Sequence, residues 1–311
     1  LSTSAEHPPI ARRPLDSPRL EGLGLLLLTA LSWGVNWPVA KYLLGQLPPF
    51  SMRTLVCAAG AAFAFCFALL RRERLAVPRR LWGRLGVLAM LNFGGFTLFS
   101  TLALDWLQAS EAVIVTYTLP IWANLLAWPV LGERPTARSL LALALGLTGV
   151  AMLVGVDSTV TAWAKLPGVA MGLIAAVLFA LGTVLSKGRP LGLPPVAGVA
   201  WQLTIGLVPI ALLALTERPD WSGVTPLGWA AGAYVALLPL TLAYLAWFRA
   251  VSLLPASTAA TGILIVPLVG VVASALLLGD PLGPRQLGAL ALALTGVGLA
   301  ALQPRRRGLT V

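Results

Sequence analysis

The sequence predicts an all-α integral membrane protein with ten transmembrane helices, built as two five-helix repeats of opposite orientation. Three observations carry this. Of 311 residues, 58% are hydrophobic and only 11% charged, against about 25% charged in soluble domains. Charge-free runs near the ~20 residues that cross a bilayer recur along the whole chain. The second half repeats the first, and because each repeat holds an odd number of spans, the second must enter the membrane inverted.

The spans are read as Gly22–Ala40, Thr54–Leu70, Leu85–Leu104, Ala112–Gly132 and Ser139–Val156 in the first half. Those of the second half are Leu166–Ser186, Pro190–Thr216, Trp221–Phe248, Ala250–Gly279 and Gln286–Pro304. Proline and glycine punctuate their ends at Pro48-Pro49, Gly132, Pro194-Pro195 and Gly279-Asp280-Pro281. The organisation expected is a disordered cytoplasmic tail (1–19), a first repeat (20–156), a periplasmic linker (157–165), a second repeat (166–304) and a basic cytoplasmic tail (305–311). The first apolar run reads as a signal anchor, since many further spans follow it.

Orientation follows the bias of Lys and Arg toward cytoplasmic loops. With the N-terminus inside, Arg12, Arg13 and Arg19, the Arg71–Arg84 cluster of six, Arg134, Arg138, Lys187, Arg189, Arg249 and Arg305–Arg307 share the cytoplasmic face, 17 of 22 basic residues. Both termini are therefore expected inside. The net charge of +11 is accounted for by these anchors, and no nucleic-acid partner is expected. Cys57 and Cys66 share one apolar run and read as small buried hydrophobes, not as a disulfide or a metal site.

At a shift of 147, Leu107–Val150 aligns with Leu254–Val297 without a gap, and 17 of 44 pairs are identical. Ala109-Ser110 meets Ala256-Ser257, Pro120 meets Pro267, and Leu131-Gly132-Glu133 meets Leu278-Gly279-Asp280. At a shift of 146, Trp33 meets Phe179 and Lys41 meets Lys187. Matched Pro, Gly, Ser and acidic residues do not arise from apolar bias alone. Inverted repeats are a transporter architecture, with the site near the midplane at the repeat interface.

These marks, with Leu31-Ser32-Trp33-Gly34-Val35-Asn36 in the first helix, Arg53 in the second and Ala109-Ser110-Glu111-Ala112 opening the fourth, resemble the drug/metabolite transporter superfamily in its ten-helix form with two EamA-type halves. The resemblance spans about Leu20 to Gln303. It implies export of amino acids or other metabolites across a bacterial inner membrane, through a central cavity lined by helices one, three, four, six, eight and nine. Within it, Thr116-Tyr117-Thr118-Leu119-Pro120 is similar to the fourth helix of aromatic amino acid exporters, which carry Trp where this chain has Leu119. A drug or nucleobase-like substrate is the alternative within the class. A membrane-embedded enzyme is the alternative outside it, and against that no HExxH, CxxC, P-loop or GxSxG pattern occurs. No catalytic residue, cofactor or metal is expected. The expected partners are the bilayer and a small molecule, with the chain a monomer or weak dimer.

Polar and aromatic residues at mid-helix depth are the substrate-binding candidates: Trp33 and Asn36 in helix one, Asn92, Phe96 and Ser100 in helix three, and Tyr117 in helix four. The second half offers Phe179 and Thr183 in helix six, Tyr234 and Tyr244 in helix eight, and Thr258 and Thr261 in helix nine. A zwitterion needs donors and acceptors, and an apolar side chain needs aromatic walls. Intramembrane charges are expensive and functional by default. Lys41, Arg53 and Glu111 fall near the periplasmic helix ends, where Glu111 is expected to pair with Arg53 or Lys41 as an outer gate, with Lys187 at the cytoplasmic end as the inverted equivalent of Lys41. Pro120, Pro239 and Pro267 are expected to kink their helices near the midplane and act as hinges. Trp82, Trp163, Trp221 and Trp229 are expected in interfacial belts, and Gly168/Gly172 and Gly228/Gly232 at close helix crossings. With no carboxylate at mid-depth in any span, uniport or exchange is expected over proton coupling.

Overall fold

The computed structural model describes residues 17–154, 159–254, 258 and 262–301. The helices are α1 (Ser17–Leu44), α2 (Pro49–Leu70), α3 (Arg79–Trp106), α4 (Ala109–Leu131) and α5 (Ala137–Val154). They continue as α6 (Thr159–Gly188), α7 (Pro195–Ala214), α8 (Pro226–Leu253), α9 (Ile265–Leu278) and α10 (Pro284–Ala301). No strand occurs among the described residues. Seven helices, α1–α4 and α6–α8, are long and apolar enough to cross a membrane, and two shorter apolar ones lie in α5 and α9. The outer surface is apolar, with Leu70 and Leu215 each 81% exposed, as a protein solvated by hydrocarbon requires. Residues 1–16 of the expected N-terminal tail and the last ten residues lie outside the described residues.

Local chemistry sets the ends. Proline occupies the first position of α2, α7 and α8, where a missing N–H is no loss. At the start of α4 Glu111 Oε2 accepts from the Gln108 N–H at 3.3 Å, one half of a capping box. α4 and α9 both stop on a left-handed glycine, Gly132 (φ 74°) and Gly279 (φ 72°), a conformation that excludes most side chains. Several features differ from the sequence reading: α1 begins at Ser17, inside the expected tail, and α6 at Thr159, inside the expected linker. α8 runs on to Leu253, so Arg249 lies within it, bonded to Glu21 at 3.0 Å, and not in a loop. Cys66 is exposed, whereas Cys57 is buried.

Three helices change their hydrogen bonding midway. α3 carries a π turn at Met90–Gly95, and α8 one at Leu238–Leu242 that contains Pro239. α4 is interrupted at Tyr117-Thr118 and restarts at Leu119. Pro120 is therefore the second residue of a new helical segment, and Pro267 the third residue of α9. The expected mid-helix kinks are in fact breaks and restarts. Each proline sits in a first turn, where its ring meets no preceding helical carbonyl and its missing donor has no partner to lose.

The most extensive packing pairs are α5 with α10, α2 with α7, α1 with α9, α6 with α4, α1 with α8 and α6 with α3. Replacing each helix by the one five places away leaves this set unchanged. Details repeat as well. A Cβ on Gly149 would stand 2.9 Å from Ala289 O, and one on Gly296 2.7 Å from Ala142 O, so α5 and α10 touch backbone to backbone at two equivalent crossings. α2 and α7 cap each other: Glu73 Oε2 accepts from Ala197 N (2.9 Å), and Glu217 accepts from Phe50 N (3.1 Å) and Ser51 N (2.6 Å). Gly168 and Gly172 lie tight against Trp106, Leu107 and Val115. Gly232 makes no such crossing, its nearest neighbour across helices being Val56 at 3.9 Å.

Candidate functional site: a cavity open at one end

Between the helices lies a cavity of ≈ 850 Å³. Its mouth is formed by the ends of α4 and α6 and by the Pro190–Pro195 segment, on the face where α1 begins. The opposite end is packed shut. There Trp37, Ala40, Leu104, Leu107, Val113, Ile114 and Val271 form a cluster exposed by 5% or less. α1 and α9 meet so closely that a Cβ on Gly34 would fall 2.5 Å from Val269 Cγ1 and 3.0 Å from Val266 O.

The walls are aromatic. Trp33 meets Tyr244 edge-on (5.1 Å between centroids) and Trp247 at a tilt (5.9 Å). Phe93 packs on Tyr244 at 5.2 Å, Phe96 on Phe179 at 5.0 Å, and Trp37 on Tyr117 at 6.3 Å. The Trp33 indole donates to Pro239 O at 3.0 Å, in the π turn of α8. That turn leaves a carbonyl without its usual helical donor, and the indole supplies one.

Amides supply the polarity. Gln202 Nε2 donates to Gly198 O (3.3 Å), which turns its Oε1 toward Asn92 Nδ2 (3.1 Å). The relay fixes Asn92 with its carbonyl oxygen outward from Gln202, close over Gly182, where an added Cβ would collide with it. Asn92 Oδ1 and Asn36 Oδ1 are buried without a hydrogen-bond partner among the described residues. Such acceptors are expensive in a membrane interior unless a ligand or a second conformation satisfies them. The hydroxyls of Ser100 and Thr183 donate to Thr97 O (3.2 Å) and Phe179 O (2.8 Å) of their own helices.

Charge is confined to the ends. Among the cavity-lining residues the charged ones are Glu133 and Lys187, paired at 2.8 Å at the mouth and both about half exposed. At the sealed end Glu111 pairs with Lys165 at 2.6 Å, and not with Arg53 or Lys41 as expected. Arg53 Nε instead donates to Thr101 Oγ1 (2.6 Å), and Lys41 Nζ to Leu104 O. Each cation thus finds an oxygen on α3 before it reaches a carboxylate. Ser110 N and Oγ donate to Asp280 Oδ2 at 3.0 and 2.8 Å.

Of the residues singled out by sequence, Trp33, Asn36, Asn92, Phe96, Ser100, Tyr117, Phe179, Thr183 and Tyr244 line the cavity, with Pro120, Lys187, Pro239 and Pro267. Tyr234 and Thr258 do not. Tyr234 donates to Ser32 O (3.0 Å) in the packing of α1 on α8. Thr261 lies outside the described residues. Sequence reading missed Trp37, Asn124, Gln202, Trp247 and the whole contribution of α7. Gln202 was legible as an uncharged amide inside an apolar span, the same signal that singled out Asn92.

The EamA-like transporter family model matches residues 20–155 and 166–302. An uncharacterized transporter, YvbV of Bacillus subtilis, is 29% identical over 286 residues, covering 88% of this chain and 90% of its own. Protein PecM of Dickeya dadantii is 30% identical over 224 residues, 70% of each chain. A crystal structure of another protein superposes with a TM-score of 0.66 at 22% identity, over 94% of this chain and 100% of that one, a likeness of fold alone.

Proposed function

The chain belongs to the EamA-like transporter family, and on that premise we propose that it exports small metabolites, aromatic or other hydrophobic amino acids first, by alternating access across a bacterial inner membrane. The observation that carries this is the cavity: ≈ 850 Å³, walled by aromatic rings and amides from both halves, reachable from one face and packed shut at the other. Small-molecule sites fall in the range of about 300–1,000 Å³, mostly apolar with a few placed polar groups. An aromatic side chain fits the ring-lined interior. A zwitterionic head group fits the Glu133–Lys187 pair of opposite charges at the mouth.

In this reading ten spans form two oppositely oriented sets of five, with both termini cytoplasmic. The mouth then faces the cytoplasm, as loading for export requires. The exchange symmetry of the packing pairs supports two halves that trade inward-open and outward-open shapes. Deep in the chamber no carboxylate is present among the described residues, which favours uniport or exchange over a proton relay.

The test is uptake and counterflow of a panel of radiolabelled amino acids in proteoliposomes. Saturable movement of unaltered aromatic amino acids is expected. Movement of nucleobases or cationic drugs alone would move the substrate to the alternative class, and chemically altered label would show an enzyme. Strong accumulation driven by a pH step would remove the uniport reading.

A further inference from the structure

The two halves end α4 and α9 on the same motif, Leu131-Gly132-Glu133 and Leu278-Gly279-Asp280, and carry equivalent lysines, Lys41 and Lys187. Among the described residues the carboxylates nevertheless make different bonds. At the open mouth Glu133 is held by Lys187 at 2.8 Å. At the sealed end no Asp280–Lys41 ion pair occurs among the described residues. Asp280 Oδ2 accepts instead from both the N–H (3.0 Å) and the hydroxyl (2.8 Å) of Ser110, which is wholly buried. That bond joins the end of α9 in the second half to the start of α4 in the first, across the closed path. Lys41 meanwhile donates to the main-chain carbonyl of Leu104, with Asp105 and Asp280 as its neighbouring charges.

We propose that Asp280 is a two-position latch: on Ser110 it holds this end shut, and on release it pairs with Lys41, as Glu133 pairs with Lys187 where the path is open. The proposal rests on the alternating-access reading. Its physical basis is balance. The first turn of α4 offers Asp280 an unsatisfied N–H and the positive end of a helix dipole. Opening would strand that carboxylate, which is half-buried at the end of α9, and a partly desolvated charge that loses its partner is costly. A lysine already at hand, bonded among the described residues to a neutral carbonyl, offers a replacement of comparable strength. The two states then differ by little, as a carrier that must visit both requires.

The full chain in nanodiscs, with Cys57→Ala and Cys66→Ala, takes Val113→Cys as a reporter; Val113 is wholly buried in the seal. Ala112→Cys, equally buried, serves as a second reporter should the first disturb packing. The readout is the rate of maleimide labelling. Asp280→Asn and Ser110→Ala are each expected to raise it about tenfold, the scale of one lost hydrogen bond to a charged group. Lys41→Met is expected to lower it, because the released carboxylate then has nowhere to go. Unchanged rates in Asp280→Asn and Ser110→Ala would overturn the latch, and so would Lys41→Met labelling like the parent, the result of a static helix cap. Labelling that follows the expected pattern while no amino acid moves would remove the substrate reading and keep the latch. Amino acid transport with flat labelling would do the reverse.

Discussion

The two ends of the cavity are made from equivalent pieces and are in opposite conditions. Both have a helix stopping on Leu-Gly-acid, a lysine and an ion pair. At the mouth the Glu133–Lys187 pair stands about half in solvent. At the sealed end the Glu111 carboxyl is 2% exposed, its Lys165 partner 27%, and valines, leucines and Trp37 fill the space between helices. The mouth therefore carries a water-facing pair and the sealed end a buried one, and the buried pair is not the repeat equivalent of the other, since Glu111 aligns with Thr258. A pair's energetic weight depends on its burial, so the sealed end should dominate stability and the mouth should be tunable at little structural cost.

The largest effect separates the two ion pairs. Lys165→Met strands a buried carboxylate, and a loss of about 3–5 kcal/mol is expected. Lys187→Met at the mouth is expected to cost about 0–1 kcal/mol. Denaturant or thermal unfolding of the purified chain reads both. Equal losses would break the comparison between ends. The next effect concerns the helix contact that closes the path. Gly34→Leu drives a side chain into Val269 and Val266 O, and overpacking of this kind costs about 1–3 kcal/mol. It should also loosen the seal, read as faster labelling of Val113→Cys. Unchanged labelling would mean that α1 and α9 do not close the path.

The seven long apolar helices were legible because they are written in local composition, as charge-free runs near the bilayer length. The same patterning placed Trp33, Asn36 and Asn92 in the cavity, since a polar or bulky residue at mid-depth on an apolar helix has few other destinations. Partners were not legible. Glu111 takes Lys165 from the start of α6, and Arg53 takes Thr101, choices decided by helix rotation and by which oxygen lies nearest. Tyr234 shows the converse, a mid-depth phenol whose hydroxyl is used in packing α1 on α8. Pro120 and Pro267 were visible as interruptions, but the sequence pattern of a kinked helix and of one that stops and restarts is the same. Which end would be closed was not legible, because both ends carry the same marks, Leu-Gly-acid at a helix end and a matched lysine.

A smaller effect tests whether the π turns at the cavity are equivalent in function as they are in position. The α8 turn is bonded by Trp33 through Pro239 O. The counterpart of Trp33 is Phe179, which has no donor, and the α3 turn carries Asn92 with its own relay to Gln202. Trp33→Phe keeps an aromatic ring against Tyr244 but removes the N–H and part of the indole's packing, so a loss of about 1–3 kcal/mol is expected, with substrate affinity falling too. Asn92→Leu and Gln202→Leu should each weaken transport, and the double variant should cost less than the sum of the two, because each single change already breaks the one bond they share. The measurement is apparent KM in counterflow for the four variants. Strict additivity would mean that Asn92 and Gln202 act on substrate separately, and the relay would then be a contact of packing with no part in presenting the Asn92 carbonyl.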